Sequence, residues 1–228
     1  MIAPGYIQAA LFDMDGTLID SELNTEPAIV DVCQQVGIDK PDIDFAAFYG
    51  RTWESSVVEM AEAYPALADV PDIARRFHQR FHELCGETPP PPIPGAREFI
   101  VRLSESVPVA IVSSAYRESI AQTIEQLDIA RYVRCYVGAE DFGASKPAPD
   151  CFLHAASILE VEPARCLVFE DSIAGLTAGR AAGMTVGAIL HRSNDLDGAT
   201  AIADIAIQNY TELAEDFVDR VCDGRGSG

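Results

Sequence analysis

The sequence predicts an α/β protein, a doubly wound parallel sheet with an inserted small helical domain. Short apolar runs rich in β-branched residues alternate along the chain with longer stretches of helical periodicity. One interval between two such runs is far longer than the others, and polar side chains follow the ends of several runs. Alternation of this kind is typical of a parallel sheet covered by helices on both faces.

Six apolar runs have the length and composition of buried strands. They are Gln8–Phe12, Val107–Val112, Tyr132–Val137, Arg165–Phe169, Thr185–Leu190 and Asp204–Ile207. From the second run onward they recur about every 25 to 30 residues, which fits one strand and one crossover helix each time.

The interval between the first two strands holds about 65 residues more than one crossover needs. Helical periodicity recurs there over Thr25–Gly37, Glu54–Ala63 and Ile73–Cys85, and a proline-rich linker, Pro89–Gly95, follows. We therefore predict a helical domain over residues 20–90, inserted into an α/β core formed by residues 1–19 and 91–228. Both connections leave the carboxyl edge of the sheet, where ligands bind in such folds, so the insert would act as a lid.

Composition narrows the classes of function. The chain has 228 residues, 48% of them hydrophobic, and 36 acidic against 16 basic residues give a formal charge of −20. Such a field repels polyanions, so we expect no nucleic-acid partner. No apolar stretch approaches the roughly 20 residues that span a bilayer, and residues 1–8 lack the features of a targeting segment. The six cysteines form no Cys-x-x-Cys pair, so we expect reduced thiols in a cytoplasmic protein without a membrane partner.

The strongest local signal is the pair Asp13 and Asp15, which stands where the first strand stops at Gly16. A strand end places both carboxylates at the carboxyl edge of the sheet, and the glycine allows a sharp turn close to a ligand. Taken alone, an Asp-x-Asp-Gly turn is equally typical of a loop or of a calcium-like site.

Polar residues at three further places favour an active site over a loop or a calcium-like site. Ser113 and Ser114 follow the second strand and can donate hydrogen bonds to a phosphoryl oxygen. Lys146, one of only two lysines, stands in a loop constrained by prolines, where a solvated surface lysine is the alternative. Glu170 and Asp171 end the fourth strand, although helix capping by Asp171 and the next residue is a competing explanation.

Strand ends of a parallel sheet converge, so the four acids Asp13, Asp15, Glu170 and Asp171 should crowd together. Like charges that close raise one another's pKa, and a divalent cation would offset them. Oxygen ligands favour Mg²⁺. Together with Lys146 the ion would supply the local positive charge that phosphoryl transfer requires.

In this order and at these spacings the four elements resemble the four motifs of the haloacid-dehalogenase-like (HAD) superfamily, from residue 9 to about residue 207. The resemblance implies a Rossmann-like core and a magnesium-dependent phosphatase that acts through an aspartyl-phosphate on a small phosphorylated metabolite. It implies that Asp13 is the nucleophile and a metal ligand. Asp15 would be the general acid/base and bind the metal through its backbone carbonyl.

The same resemblance implies that Ser113 and Lys146 hold the phosphoryl oxygens. Ser114 stays a candidate substrate contact because of its position directly after Ser113. Asp171 would bind the metal, and Glu170 would support or join it. The helical insert is similar to the cap of the subgroup that includes β-phosphoglucomutase, phosphoglycolate phosphatase and small sugar-phosphate phosphatases. We expect a monomer or a weak homodimer.

Three alternatives remain at this point. Sugar phosphomutases share the motifs, but those of the β-phosphoglucomutase type carry a histidine where this chain has Thr25 and usually a valine where it has Thr17, which favours hydrolysis. A receiver-type phospho-accepting signalling module also combines acids, hydroxyls and lysine on a doubly wound sheet, but it has no lid. A catalytically silent binding protein is disfavoured because every expected catalytic residue is present.

Residues of the insert should determine which substrate the protein accepts. The turn Gly50–Trp53 can direct Arg51 towards the distal group of a substrate, with an ordinary surface salt bridge as the alternative. His78 and His82 stand four residues apart, as in half of a zinc site, but no third ligand is evident. Gly175 and Gly179 are interpreted as positions of close packing against the sheet.

Overall fold

The computed structural model describes residues 6–39, 41–43, 45, 51–191 and 196–222. Six strands form one sheet in the order β3-β2-β1-β4-β5-β6, and every pairing is parallel. The strands are β1 (Ala9–Phe12), β2 (Val109–Val112), β3 (Val133–Val137), β4 (Cys166–Glu170), β5 (Thr185–Ile189) and β6 (Ile205–Ile207). The predicted doubly wound α/β fold is confirmed.

Among the described residues, four helices lie between β1 and β2, three before the proline-rich segment and one after it, and the others follow the later strands. The first three are α1 (Glu22–Gln35), α2 (Trp53–Ala63) and α3 (Ile73–Glu87). The later helices are α4 (Ala96–Ser104), α5 (Arg117–Gln126), α6 (Asp150–Leu159), α7 (Ile173–Ala181), α8 (Leu196–Ile202) and α9 (Phe217–Val221). No helix in the described ranges combines the length and the apolar character that crossing a membrane requires.

Alternation along the central strands divides the core into two layers. All residues of β1, β2 and β4 are buried, as expected of strands covered on both faces. Phe12 and Phe169 belong to one apolar cluster, whereas Leu11 and Val168 belong to another, because successive side chains point to opposite faces. Helices α4, α5 and α9 contribute to the first cluster, and α6, α7 and α8 contribute to the second.

Helices α1, α2 and α3 build a third apolar cluster that shares no residue with the other two. In α3, Ile73, Phe77 and Phe81 are buried at intervals of four residues, which is the spacing of one helical face. Trp53 of α2 stacks on Phe77 at 5.9 Å between ring centroids. The insert therefore has apolar packing of its own.

The two connections to the insert run side by side. The backbone N–H of Asp20 donates to the carbonyl of Pro91 at 2.9 Å, and that of Ile93 donates to Leu18 at 2.9 Å. Ile19 and Pro92 form an antiparallel bridge between them. The proline-rich segment is thus hydrogen-bonded to the chain that leaves β1.

Candidate active site

Three adjacent strands bring their carboxyl ends to one place. Asp13 follows β1, Ser113 follows β2 and Glu170 ends β4, and these strands are neighbours in the sheet. The backbone N–H of Asp13 donates to Phe169 at 2.9 Å, and that of Ser113 donates to Val137 at 3.0 Å. Sheet pairing therefore fixes the backbone at the point where the polar side chains begin.

Lys146 lies inside this cluster. Its Nζ is 2.6 Å from Asp13 Oδ1 and 2.7 Å from Glu170 Oε1, and it also donates to the carbonyl of Val112 at 3.4 Å. The residue is 1% exposed, and its Nζ stands 5.1 Å from the ring centroid of Phe152. The alternative of a solvated surface lysine is therefore excluded.

The charges of this cluster do not balance. Burial raises the pKa of Asp13 well above its usual value, Lys146 opposes the rise, and Glu170 and Asp15 add to it. Burial by itself would lower the pKa of Lys146, but the carboxylates of Asp13 and Glu170 outweigh it and raise that pKa. One buried ammonium between two carboxylates leaves negative charge that a cation can offset.

Asp171 adds a third carboxylate beside this pair. Among the described residues, Asp13, Glu170 and Asp171 form the one group of potential ligands with oxygen atoms within 4.8 Å of one another. Thr17 Oγ1 donates to Asp171 Oδ1 at 2.9 Å. Gly16 has a φ of +76°, and a Cβ there would come within 2.2 Å of Asp171 Oδ2. The donor set consists of oxygen atoms alone, and this fits Mg²⁺.

Asp15 is held by two hydroxyl groups. Ser21 Oγ donates to its Oδ1 at 2.5 Å, and Ser113 Oγ donates to its Oδ2 at 3.5 Å. Ser21 is the N-cap residue of α1, yet its side chain makes no capping bond to the helix. Burial raises the pKa of Asp15, and the hydrogen bond from Ser21 opposes this rise. A carboxyl group with a raised pKa is suited to proton transfer near neutral pH.

Both carboxylate oxygens of Glu170 accept hydrogen bonds, Oε1 from Lys146 and Oε2 from Ser172. Its Oε2 accepts hydrogen bonds from the backbone N–H of Ser172 at 2.7 Å and from Ser172 Oγ at 2.9 Å. The same Oγ accepts from the backbone N–H of Gly175 at 3.0 Å, so Ser172 caps α7 as predicted. The hydrogen bonds from Ser172 to Glu170 could not be predicted from the sequence, because they depend on how the strand end bends.

Ser113, Ser114 and Arg51 are the remaining predicted substrate contacts. Ser113 Oγ accepts from the backbone N–H of Ala115 at 3.0 Å, and Ser114 is buried beside it. Arg51 pairs with Glu59 of α2, so its guanidinium is engaged within the insert. Gly50 of the same turn lies outside the described residues. The role of Arg51 in substrate binding stays a prediction.

Two histidines of α3 face the core. His78 Nε2 lies 3.1 Å from Ser119 Oγ of α5, and its ring stands edge-on to Tyr116 at 4.4 Å between centroids. His82 lies 5.9 Å from His78 between centroids. Within the described ranges neither belongs to a group of three close metal ligands, and both lie where the insert meets α5.

Comparisons with known proteins show the family of this chain and two similar phosphatases. Residues 10–189 match the family described as haloacid dehalogenase-like hydrolase. Over 218 residues the chain is 31% identical to validoxylamine A 7'-phosphate phosphatase of Streptomyces hygroscopicus subsp. limoneus, covering 90% of this chain and 95% of that protein. It is 29% identical to hexitol phosphatase B of Escherichia coli (strain K12), covering 93% and 97% respectively.

A longer relative and a solved structure complete the comparison. The chain is 34% identical over 187 residues to protein SUPPRESSOR OF QUENCHING 1, chloroplastic, of Arabidopsis thaliana, but it spans only 17% of that protein's length. A crystal structure of β-phosphoglucomutase from Clostridium difficile superimposes with a TM-score of 0.80 at 20% identity, covering 93% of this chain and 95% of that one. At that identity the likeness shows the fold alone.

Proposed function

Because this chain belongs to the haloacid dehalogenase-like hydrolase family, we propose that it is a magnesium-dependent phosphatase of a small phosphorylated metabolite, a sugar phosphate or similar phosphomonoester. The observation that carries this proposal is the buried contact of Lys146 with Asp13 and Glu170 beside Asp171. The names of two relatives, a phosphatase of a validoxylamine phosphate and a hexitol phosphatase, support the substrate class.

Asp13 is the nucleophile in this proposal. Its carboxylate forms a bond to phosphorus while the bond from phosphorus to the leaving alcohol oxygen breaks, which gives an aspartyl-phosphate. Lys146, Ser113 and Ser114 hold the phosphoryl oxygens and orient the group towards Asp13. Glu170 keeps Lys146 in place through the contact of 2.7 Å.

Asp15 moves the protons of both half-reactions. It donates a proton to the departing alcohol oxygen, and then it accepts a proton from the water that attacks the aspartyl-phosphate. Its raised pKa supports the first role, because the protonated form persists closer to neutral pH. Ser21 and Ser113 orient the carboxyl group.

Mg²⁺ would be held by Asp13, Asp171 and Glu170, together with the backbone carbonyl of Asp15. When bound, it supplies positive charge that offsets these carboxylates and the phosphoryl oxygens. Thr17 positions Asp171 through a hydrogen bond, and Gly16 leaves room for the carboxylate of Asp171.

We also propose that residues 20–90 form a cap on a core of residues 1–19 and 91–228. Three contacts support a closed arrangement over the site: Thr52 N–H donates to Ser145 Oγ at 3.2 Å, His78 meets Ser119, and the Tyr116 hydroxyl bonds to Glu54. A closed cap would exclude bulk water during phosphoryl transfer.

Two finer expectations remain proposals. All six cysteines carry free thiols, and this favours the reducing environment of the cytoplasm. We retain the expectation of a monomer or weak homodimer that binds a small phosphorylated metabolite.

The test measures phosphate release by the purified protein with magnesium across phosphorylated sugars, polyols and short acids. We expect release from one subset of these compounds and none from Asp13→Asn, because an amide does not attack phosphorus. Turnover by Asp13→Asn near the wild-type rate would disprove the mechanism. Conversion of glucose 1-phosphate to glucose 6-phosphate without phosphate release would instead identify a sugar phosphomutase.

A further inference from the structure

The start of α2 in the cap contacts both loops of the core that we propose to hold the phosphoryl oxygens. The backbone N–H of Thr52 donates to Ser145 Oγ at 3.2 Å, directly before Lys146 in the chain. The hydroxyl of Tyr116 donates to Glu54, two residues further along the cap. We call these two hydrogen bonds the α2 contacts, and the inference about them rests on the proposed function.

Tyr116 lies at the end of the loop that begins with Ser113, and hydrogen bonds hold this loop. The backbone N–H of Ser113 donates to the carbonyl of Val137 at 3.0 Å, and Ser113 Oγ accepts from the backbone N–H of Ala115 at 3.0 Å. The backbone N–H of Ala139 donates to the carbonyl of Ala115 at 2.9 Å. Because the loop is short and bonded along its length, the position of Tyr116 follows that of Ser113.

Tyr116 reaches from the core to two helices of the cap. Its hydroxyl bonds to Glu54 of α2, and its ring stands edge-on to His78 of α3 at 4.4 Å between centroids. Burial raises the pKa of Tyr116, and the hydrogen bond to Glu54 raises it further, so the phenol stays protonated and remains a donor. The hydroxyl therefore adds a bond to the cap that a phenylalanine would lack.

Thr52 is fixed within the cap and offers one free donor to the core. As the N-cap residue of α2, it accepts through its side chain from the backbone N–H of Ser55 at 3.2 Å. Its carbonyl accepts from the backbone N–H of Ser56 at 3.0 Å. The N–H at the start of a helix has no partner within the helix, and here Ser145 of the core supplies it.

Charge at the interface between cap and core opposes closure. Burial lowers the pKa of His78, and the acids Glu118, Glu54 and Glu140 oppose that fall, which places all three near one imidazole. Glu54 belongs to the cap and the other two belong to the core, so closure brings like charges together. Arg75 of α3 offsets part of this charge. Specific hydrogen bonds and a bound ligand must therefore favour the closed arrangement.

We propose that the α2 contacts couple binding of the phosphoryl group to closure of the cap, with Tyr116 as a positioning residue that acts through Glu54. A phosphoryl group held by Ser113 and Lys146 orders both loops, and both loops then present a bonding partner to the same turn of the cap. Such coupling is reciprocal, so a variant that weakens closure must also weaken the binding of phosphate.

Calorimetric titration with inorganic phosphate in the presence of magnesium tests the coupling without turnover. We expect Tyr116→Phe, which keeps the ring and loses the hydroxyl, to raise the Kd of phosphate about fivefold, within the range of one hydrogen bond. Tyr64→Phe is the matched control and should leave the Kd unchanged, because the hydroxyl of Tyr64 bonds to Asp42 inside the cap. An unchanged Kd in Tyr116→Phe, or an equal rise in both variants, would overturn the proposal. Absence of phosphate binding to the wild type would overturn it as well.

Two variants of Glu54 separate the hydrogen bond from the charge. Glu54→Gln and Glu54→Leu remove the same charge, but only the glutamine amide oxygen can still accept from Tyr116. We expect phosphate to bind to Glu54→Leu about threefold more weakly than to Glu54→Gln. Equal affinities would assign the effect of residue 54 to its charge and contradict the proposed coupling.

Trp53 reports directly on the position of α2, because it stands between Thr52 and Glu54 and is the single tryptophan of the chain. Labelling with ¹⁵N-tryptophan gives one backbone amide and one indole resonance. We expect the amide resonance to shift saturably with inorganic phosphate. The phosphate concentration at the midpoint should rise in Tyr116→Phe and in Ser145→Ala by the factor that calorimetry gives. A resonance that stays unchanged while calorimetry shows phosphate bound would mean that α2 does not respond to the phosphoryl site.

These experiments separate the coupling from the proposed phosphatase activity. A raised Kd of phosphate in Tyr116→Phe, with no phosphate released by the wild type from any phosphomonoester, would refute the phosphatase and leave the coupling standing. Hydrolysis by the wild type, with phosphate bound equally well by Tyr116→Phe, would refute the coupling and leave the phosphatase standing.

Discussion

Gly175 of α7 lies directly against the carboxylate of Glu170, and a Cβ at residue 175 would stand 1.7 Å from Glu170 Oε1. Glu170 is fully buried and is bonded to Lys146 and Ser172, so it has no solvent-filled space into which it can move. The absence of a side chain at residue 175 is therefore a condition for the contact between Glu170 and Lys146.

We predict that Gly175→Ala lowers phosphatase activity by about 100-fold, since a displacement of about 1 Å in a positioned group costs that much. The displaced carboxylate would carry Lys146 away from Asp13. Phosphate release at saturating magnesium is the measurement. Gly143→Ala is the matched control, because a Cβ there meets nothing within 4 Å. Wild-type turnover by Gly175→Ala would show that Glu170 does not set the position of Lys146.

The sequence predicted the sheet well because each strand is a short apolar run with clear limits. Five of the six strands begin one residue later than predicted or at the predicted residue, and β2 begins two residues later, at Val109. The residue before it, Pro108, lacks the N–H that a strand needs for its ladder. Helix α1 begins at Glu22, before the predicted Thr25, because its first turn has one apolar residue, the exposed Leu23, and shows no apolar periodicity.

The candidate site was predictable only in part. Asp13, Lys146 and Glu170 were found because strand ends of a parallel sheet converge, a rule that needs no coordinates. Ser21 was missed because its contact with Asp15 depends on how the turn after β1 folds back. Gly175 was interpreted as close packing against the sheet, and the structure agrees, with the carboxylate of Glu170 in β4 as the group it packs against.

Magnesium should stabilise the folded protein as well as activate it. A ligand at 100 times its Kd that binds only the folded state contributes about 2.7 kcal/mol. We expect magnesium to raise the Tm of the wild type and to have a much smaller effect on Asp171→Asn, and a chelator should abolish phosphate release until magnesium is restored. Asp219→Asn, an exposed acid on α9, is the charge-matched control. An equal rise in Tm for Asp171→Asn would place the ion elsewhere.

Tyr210 should tolerate the loss of its hydroxyl group. The residue is 3% exposed, its ring stacks on Phe99 at 5.2 Å, and no described residue hydrogen-bonds to its Oη. Because burial of an unsatisfied polar group costs about 1–3 kcal/mol, Tyr210→Phe should leave the free energy of unfolding unchanged or raise it by about 1 kcal/mol. Urea denaturation measures it.

Tyr64 provides the contrast for this prediction. Its hydroxyl accepts a hydrogen bond from the backbone N–H of Asp42 at 2.6 Å. Tyr64→Phe should therefore lower the free energy of unfolding by about 1 kcal/mol. If Tyr210→Phe proved as destabilising as Tyr64→Phe, the hydroxyl of Tyr210 would have a bonding partner.

The contact between α3 and α5 should depend on pH through His78. Burial lowers the pKa of His78 below its usual value, the neighbouring His82 lowers it further, and the acids Glu118, Glu54 and Glu140 oppose the shift. As pH falls through the unfolded value of about 6.5, the unfolded chain takes up a proton before the folded protein does. The stability that the neutral imidazole contributes is present above that pH and is lost below it.

We therefore expect the free energy of unfolding to fall more between pH 7.5 and pH 5.5, values that bracket the reference pKa of about 6.5, in the wild type than in His78→Gln. Urea denaturation at both pH values measures the difference. Ser119→Ala keeps the imidazole but removes the hydroxyl beside it, so it should retain most of the pH dependence, because burial is the main cause of the shift. Equal pH dependence of the wild type and His78→Gln would contradict the prediction. Loss of the pH dependence in Ser119→Ala would assign it to the hydrogen bond instead of to burial.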